Sequence, residues 1–98
     1  MPHLLPELKN RLNITWNEED PDLENILKRA KAYFRRLTGK SFSFAPEDEE
    51  TELLYERCRY VYNNAADEFE KNFEDELKRL ILHVALEKRK LNGTEENP

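Results

Sequence analysis

Glycine is nearly missing from this chain: Gly39 and Gly93 are the only two among 98 residues. So few residues suited to tight turns disfavour a fold of many short strands. Cysteine is reduced to Cys58, so no internal disulfide can form, which fits a reducing compartment. Long apolar runs are lacking as well. No stretch of about 18 apolar residues exists to span a bilayer, and the opening "MPHLLPELKN" has neither the basic start nor the apolar stretch of a signal peptide. The "NIT" (13–15) and "NGT" (92–94) glycosylation patterns are therefore read as chance. There is no CxxC, HExxH or EF-hand spacing and no glycine-rich phosphate loop, so neither a metal nor a cofactor is implied.

What is present is charge and helical periodicity. Charged residues make up 38% of the chain and hydrophobic ones another 38%, enough apolar material for one modest core. The net charge of −5 disfavours non-specific adhesion to nucleic acid by the whole surface. Acids gather in "NEEDPDLE" (17–24), "EDEETE" (47–52) and "DEFEKNFEDE" (67–76), and bases in "KRAKAYFRRLTGK" (28–40) and "EKRK" (87–90). Acids before helices and bases at their ends complement the helix dipole.

Four helices are predicted. A short one covers 6–13, with Pro6 in its first turn and Leu8 and Leu12 on one face. The second starts with Asp20 as N-cap and Pro21 at the first helical position. Leu23, Ile26, Leu27, Ala30, Phe34 and Leu37 keep the 3.6-residue period, and Gly39 supplies the left-handed stop. "KSFSFAPEDE" (40–49) reads as an irregular loop. A third helix begins between Pro46 and Thr51 and carries Leu54, Cys58, Val61, Tyr62 and Ala65. A final one carries Phe73, Leu77, Leu80, Ile81 and Val84. Asn63 and Asn64, weak helix formers that tolerate the left-handed conformation, mark a joint between two antiparallel helices, with Phe69 and Phe73 at its corner. One unbroken helix from 50 to 90 would be about 60 Å long and could not pack on its own chain. The expected architecture is thus an all-α bundle of about four helices forming a single domain over 1–90. An irregular 40–50 loop and a polar, disordered tail at 91–98 complete it. The expected core is Leu23, Ile26, Leu27, Ala30, Phe34, Leu54, Cys58, Val61, Leu77, Ile81 and Val84.

No catalytic constellation emerges. His3 and His83 are the only histidines and lie far apart in sequence. His83, with Glu87 four residues on, reads as a helix-surface side chain. Cys58, on the apolar stripe, reads as a packed small hydrophobe rather than a nucleophile. An enzyme is not expected. Lys28, Arg29, Lys31, Arg35, Arg36 and Lys40 could form a basic strip across phosphates, but interleaved apolar residues and the flanking acids weigh against nucleic-acid readout.

Two segments carry a resemblance. "ITWNEEDPDLENILKRAKAYFRRLTG" (14–39) and "YERCRYVYNNAADEFEKNFEDELKRL" (55–80) are similar to the small head–tail connector proteins of tailed bacteriophages and prophages. The likeness covers roughly residues 5–85 and rests on pattern and order, not on a catalytic motif. It implies a structural subunit that assembles as a ring, twelvefold to match a portal. A stopper or tail protein would dock on its far side, and DNA would slide through the channel past acidic walls without sequence-specific binding. The implied location is the head–tail interface of the virion, after assembly in the host cytoplasm. Separately, exposed ion pairs are each worth only about 0–1 kcal/mol, so the isolated chain is expected to stay monomeric. A generic helical interaction module, or a small nucleic-acid-binding one, is the alternative.

The candidate subunit or partner interface is the basic exit of the second helix (Arg35, Arg36, Lys40) with the loop beside it (Phe42, Phe44, Glu47, Asp48, Glu49). That loop is expected to be mobile in the free subunit, with core and interface both open for its two phenylalanines. On this reading, replacing both with serine would leave the thermal midpoint almost unchanged. Trp16, also outside the regular helices, is expected to cap the core rather than anchor a neighbour.

Overall fold

A computed structural model describes residues 3–96 of the chain, with backbone alone over 91–96. Five helices follow in order: α1 (Leu4–Arg11), α2 (Asp20–Thr38), α3 (Glu49–Tyr62), α4 (Ala66–Asn72) and α5 (Glu74–Glu96). No strand occurs among the described residues. Helix α2 lies at the centre and packs against α1, α3 and α5, while α4 bridges α3 and α5.

The boundaries follow local chemistry. Asp20 is the first residue of α2 and not its N-cap; Glu19 precedes it, and Pro21 occupies the first turn. Asp20 is drawn instead toward α1, where Lys9 Nζ lies 2.7 Å from its Oδ1 as an ion pair. Lys9 directs its aligned hydrogen bond to Asn17 Oδ1, also at 2.7 Å. Gly39 ends α2 in the left-handed region (φ 78°), its N–H bonded to the Arg35 carbonyl as expected of a glycine stop.

The asparagine joint is present. Asn63 caps α3 by donating its Nδ2 to the Arg59 carbonyl at 2.8 Å, and Asn64 takes φ 58°. The helix beyond it is broken a second time. The chain forms the short α4, then α5 begins at Glu74 and packs chiefly on α2, so α3 and the final helix are not the adjoining antiparallel pair the joint suggested. The backbone of α5 runs to Glu96, so "EKRK" lies within the helix, not at its end. The tail expected at 91–98 falls on side chains, and at 97–98 on backbone, outside the described residues.

The core forms around Phe34 on α2. Leu23, Leu27, Ala30, Leu54, Cys58, Leu77 and Val84 are buried as expected, while Ile26 and Val61 are only partly buried. Ile81 is a correction: it is 37% exposed, because α5 turns Leu77, Leu80 and Val84 inward and Ile81 falls on the margin of that stripe. Leu4, Leu8, Ile14, Phe44, Leu53, Tyr55, Phe69 and Leu80 join the core. Phe69 sits amid Phe34, Tyr33, Tyr60 and Phe73 at ring-centroid distances from 5.1 to 6.3 Å. This aromatic cluster fills the corner made by α3, α4 and α5. Arg57 spreads over the Tyr33 ring at 4.1 Å and closes it on one side.

Candidate functional site

The predicted interface residues collect at one end of the molecule, where α2 stops and the 40–48 loop crosses toward α3. Arg35 and Arg36 are exposed on the last turn of α2. Lys40 bonds Glu87 of α5 at 3.0 Å, and that hydrogen bond is the main reason the Glu87 carboxyl is held below its ordinary range. Lys88, one residue on, donates to the Gly39 carbonyl at 2.9 Å, placing a cation at the negative end of the α2 dipole. Gly39, Lys40, Ser41, Val84, Glu87 and Lys88 line an open cleft of about 740 Å³ between loop and helix. Glu47 is exposed, Asp48 is partly buried as the N-cap of α3, and Glu49 pairs with Arg79 at 3.1 Å.

Phe44 does not belong to that surface. Its ring is 2% exposed and meets Phe34 edge-on at 6.3 Å, so it is a core residue. The backbone turns it inward at φ 54°, with His3 Nε2 3.0 Å from its carbonyl oxygen. Thr51, fully buried, donates its hydroxyl to the Ala45 carbonyl at 2.6 Å and pins the far side of the loop. A loop tied at both ends gives no support to the expected mobility. A serine at position 44 would remove a packed ring, contrary to the expectation of an unchanged thermal midpoint. Phe42 is partly buried, tilted on Phe44 at 5.6 Å with Lys40 over its outer face at 5.2 Å.

Trp16 also departs from expectation. It is 44% exposed, and its Nε1 donates to Glu19 Oε2 at 2.7 Å. Ile14, 5% exposed, fills the core position the tryptophan was expected to cap. Tyr62 of α3 donates to the same Glu19 carboxylate at 3.2 Å, so the α1–α2 turn is braced but its indole stays outside.

Cys58 is fully buried, and burial pushes its thiol up to about 12. His83 lies exposed on α5 with Nε2 3.7 Å from Glu87 Oε2. Among the described residues no group of three or more His, Cys, Asp or Glu is placed to hold a metal, and no helix is long and apolar enough to cross a membrane.

The basic residues of α2 are sorted cleanly by the helix. Leu27, Ala30 and Phe34 turn inward, while Lys28, Arg29, Arg35 and Arg36 are exposed and Lys31 is partly so. The interleaving that counted against a basic strip in the sequence therefore does not prevent one; the acids Asp22 and Glu24 sit at its N-terminal end.

With the fold and its exposed surfaces described, comparison with known families places the chain. The sequence signature of the phage gp6-like head-tail connector proteins matches residues 3–96. The chain belongs to that family. No curated protein and no solved structure matches it. A head–tail connector is a structural component of the phage particle, and interaction with portal and tail proteins and self-association go with that role. In this connector the exposed features are the charged end at 35–49, the basic outer face of α2, the Trp16 turn and the outward side of α5. The exposure of Trp16 was not foreseen because a large aromatic outside the regular helices was expected to cap the core. Its signal was the run of acids around it, which binds the indole N–H from outside.

Proposed function

We propose that this connector is a non-catalytic ring subunit, twelve to a ring, that sits beneath the portal, extends the DNA channel and presents a docking platform to the stopper or tail. The observation that carries this reading is the family match over residues 3–96, on a fold that is all-helical among the described residues. The charged end meets a partner ring through Arg35, Arg36, Lys40, Phe42, Glu47, Asp48 and Glu49, with Phe44 supporting the loop from within. The exposed ion pairs there are each worth only about 0–1 kcal/mol, so free subunits stay monomeric until a portal templates the ring. DNA passes through without sequence-specific binding, and assembly takes place in the host cytoplasm.

The test is to mix the purified chain with the portal protein of the same phage genome and image the particles. A ring of density below the portal, with twelvefold symmetry, is the expected result. Bare portals at saturating connector would overturn the proposal. Arg35→Glu combined with Arg36→Glu should abolish docking while leaving the thermal midpoint within a few degrees.

The outer face of α2 favours a second reading, a nucleic-acid contact through Lys28, Arg29, Lys31, Arg35 and Arg36. Duplex binding measured by fluorescence anisotropy at two salt concentrations separates the two. A true phosphate contact weakens steeply with salt, whereas the connector reading expects no binding at physiological salt.

A further inference from the structure

The large apolar side chains exposed among the described residues are Trp16, Ile81, Leu82 and Leu86, and they form two separate patches. Leu82 and Leu86 are 59% and 53% exposed. They stand one helical turn apart on the side of α5 opposite Leu80 and Val84, which are buried, and so face away from the subunit's own core. Exposed Ala85 flanks them on the side of Ile81. Lys78, Arg79 and Arg89 rim the stripe, with Asp75 at its start. Lys78 and Arg79 already touch Glu74 and Glu49, but all four of these side chains are at least 63% exposed, so their charge remains accessible to a partner.

The Trp16 patch has the opposite rim. Its indole is surrounded in sequence by Glu18, Glu19, Asp20 and Asp22, with Glu18 and Asp22 exposed. It lies at the start of α2, whereas α5 residues 87 and 88 are bonded to Lys40 and Gly39 at the end of α2. The 19 residues of α2 separate these ends by about 28 Å. One patch therefore cannot cover the other within a subunit.

We propose that the Trp16 turn of one copy docks on the Leu82–Leu86 stripe of the next, aromatic centre on apolar centre and acidic rim on basic rim. This rests on the ring reading above and names its subunit contact. Two unlike patches at opposite ends of a helix make a head-to-tail contact, which propagates from copy to copy and closes only at the right rotation. A tryptophan at the centre of a polar rim is also the kind of side chain on which interfaces concentrate their affinity.

The experiment uses the full chain with the portal protein of the same genome. Cys58 is 0% exposed and does not compete for a thiol-specific reagent. Glu18→Cys and Ala85→Cys are made separately, since both positions are exposed. Ring formation is scored by microscopy, and a short bismaleimide is then added. The expected result is cross-linked dimers when the two variants are mixed and none with either alone. In a chain carrying both changes, a ladder should extend up to the full ring. Self-cross-linking of a single variant would mean a two-fold contact and overturn the proposal. So would selective coupling of Glu18→Cys to Arg29→Cys on the outer face of α2. Rings that form without any 18–85 cross-link would overturn this contact while leaving the ring intact. Absence of rings from the unmodified chain would bring down the ring reading and this contact with it. As a second measurement, Trp16→Ala should raise the connector concentration needed for ring formation at least about tenfold without moving the monomer's thermal midpoint.

Discussion

The chain makes two short irregular connections of similar length, 12–19 and 39–48, and treats their aromatic residues in opposite ways. In the second, Phe44 is driven into the core by a positive φ and a loop fastened at each end. In the first, the inward position goes to Ile14, and Trp16 is left outside with its N–H held by Glu19. The difference lies in what each side chain needs. Phenylalanine has no polar atom to satisfy and loses nothing by burial, whereas an indole N–H must keep a partner. Here the available partner is a surface carboxylate. One connection therefore stabilises the subunit, and the other leaves a large apolar surface for something else.

The sharpest way to break this contrast is Phe44→Ala. Removing a fully packed ring should cost about 3–5 kcal/mol and lower the thermal midpoint by more than about 10 °C. A shift of only a few degrees in a calorimetric scan would put the two connections on an equal footing. Next is Gly39→Ala, at the point where the second connection leaves α2. An L-residue at φ 78° costs about 1–2 kcal/mol, and the added methyl group would displace the tip of Lys88, whose Nζ lies 2.7 Å from its position. Chemical denaturation should show that loss with an unchanged m-value.

Smaller still is the Arg11–Glu52 pair, which ties α1 to α3 close to the first connection, with Arg11 making two hydrogen bonds of 3.0 and 2.7 Å. The hydrogen bonds from Arg11 are the chief reason Glu52 titrates below its ordinary 4.5. A depressed carboxylate stabilises above the unfolded value, and that contribution fades as pH falls through the folded one. Glu52→Gln should therefore cost about 0–1 kcal/mol at pH 7, discounted because the carboxylate is 58% exposed. The difference from the parent should close as pH drops below 4.5. Smallest of all, Trp16→Ala should change monomer stability by less than about 0.5 kcal/mol. A larger loss on denaturation would show the indole to be part of the core after all.

Much of the fold was legible because its signals are local. The proline start and glycine stop of α2, its 3.6-residue stripe and the left-handed Asn64 were each visible as residue types at a spacing. The buried Cys58 and the surface position of His83 beside Glu87 followed from the same stripes. What was not legible depends on contacts distant in sequence. The second break at Phe73 arises where Phe69 and Phe73 stack on each other and meet Tyr60 edge-on. Ile81 was placed on the wrong side because Leu77, Leu80, Ile81 and Val84 all fit one stripe, and only the position of α2 decides which of them is left at its margin. For the candidate interface, the exposure of Arg35, Arg36, Glu47 and Glu49 could be foreseen, but the assignment of Phe44 needed Phe34 in three dimensions.

The buried thiol bears on durability. A structural protein of a phage particle meets air and oxidants once the particle is outside its host. With its thiol pushed up to about 12 by burial, Cys58 stays in the unreactive thiol form near neutral pH. It is also 0% exposed, so peroxide has neither the reactive form nor a path to it. Ageing outside the host should therefore leave Cys58 neither sulfenylated nor disulfide-bonded, even in storage without reductant.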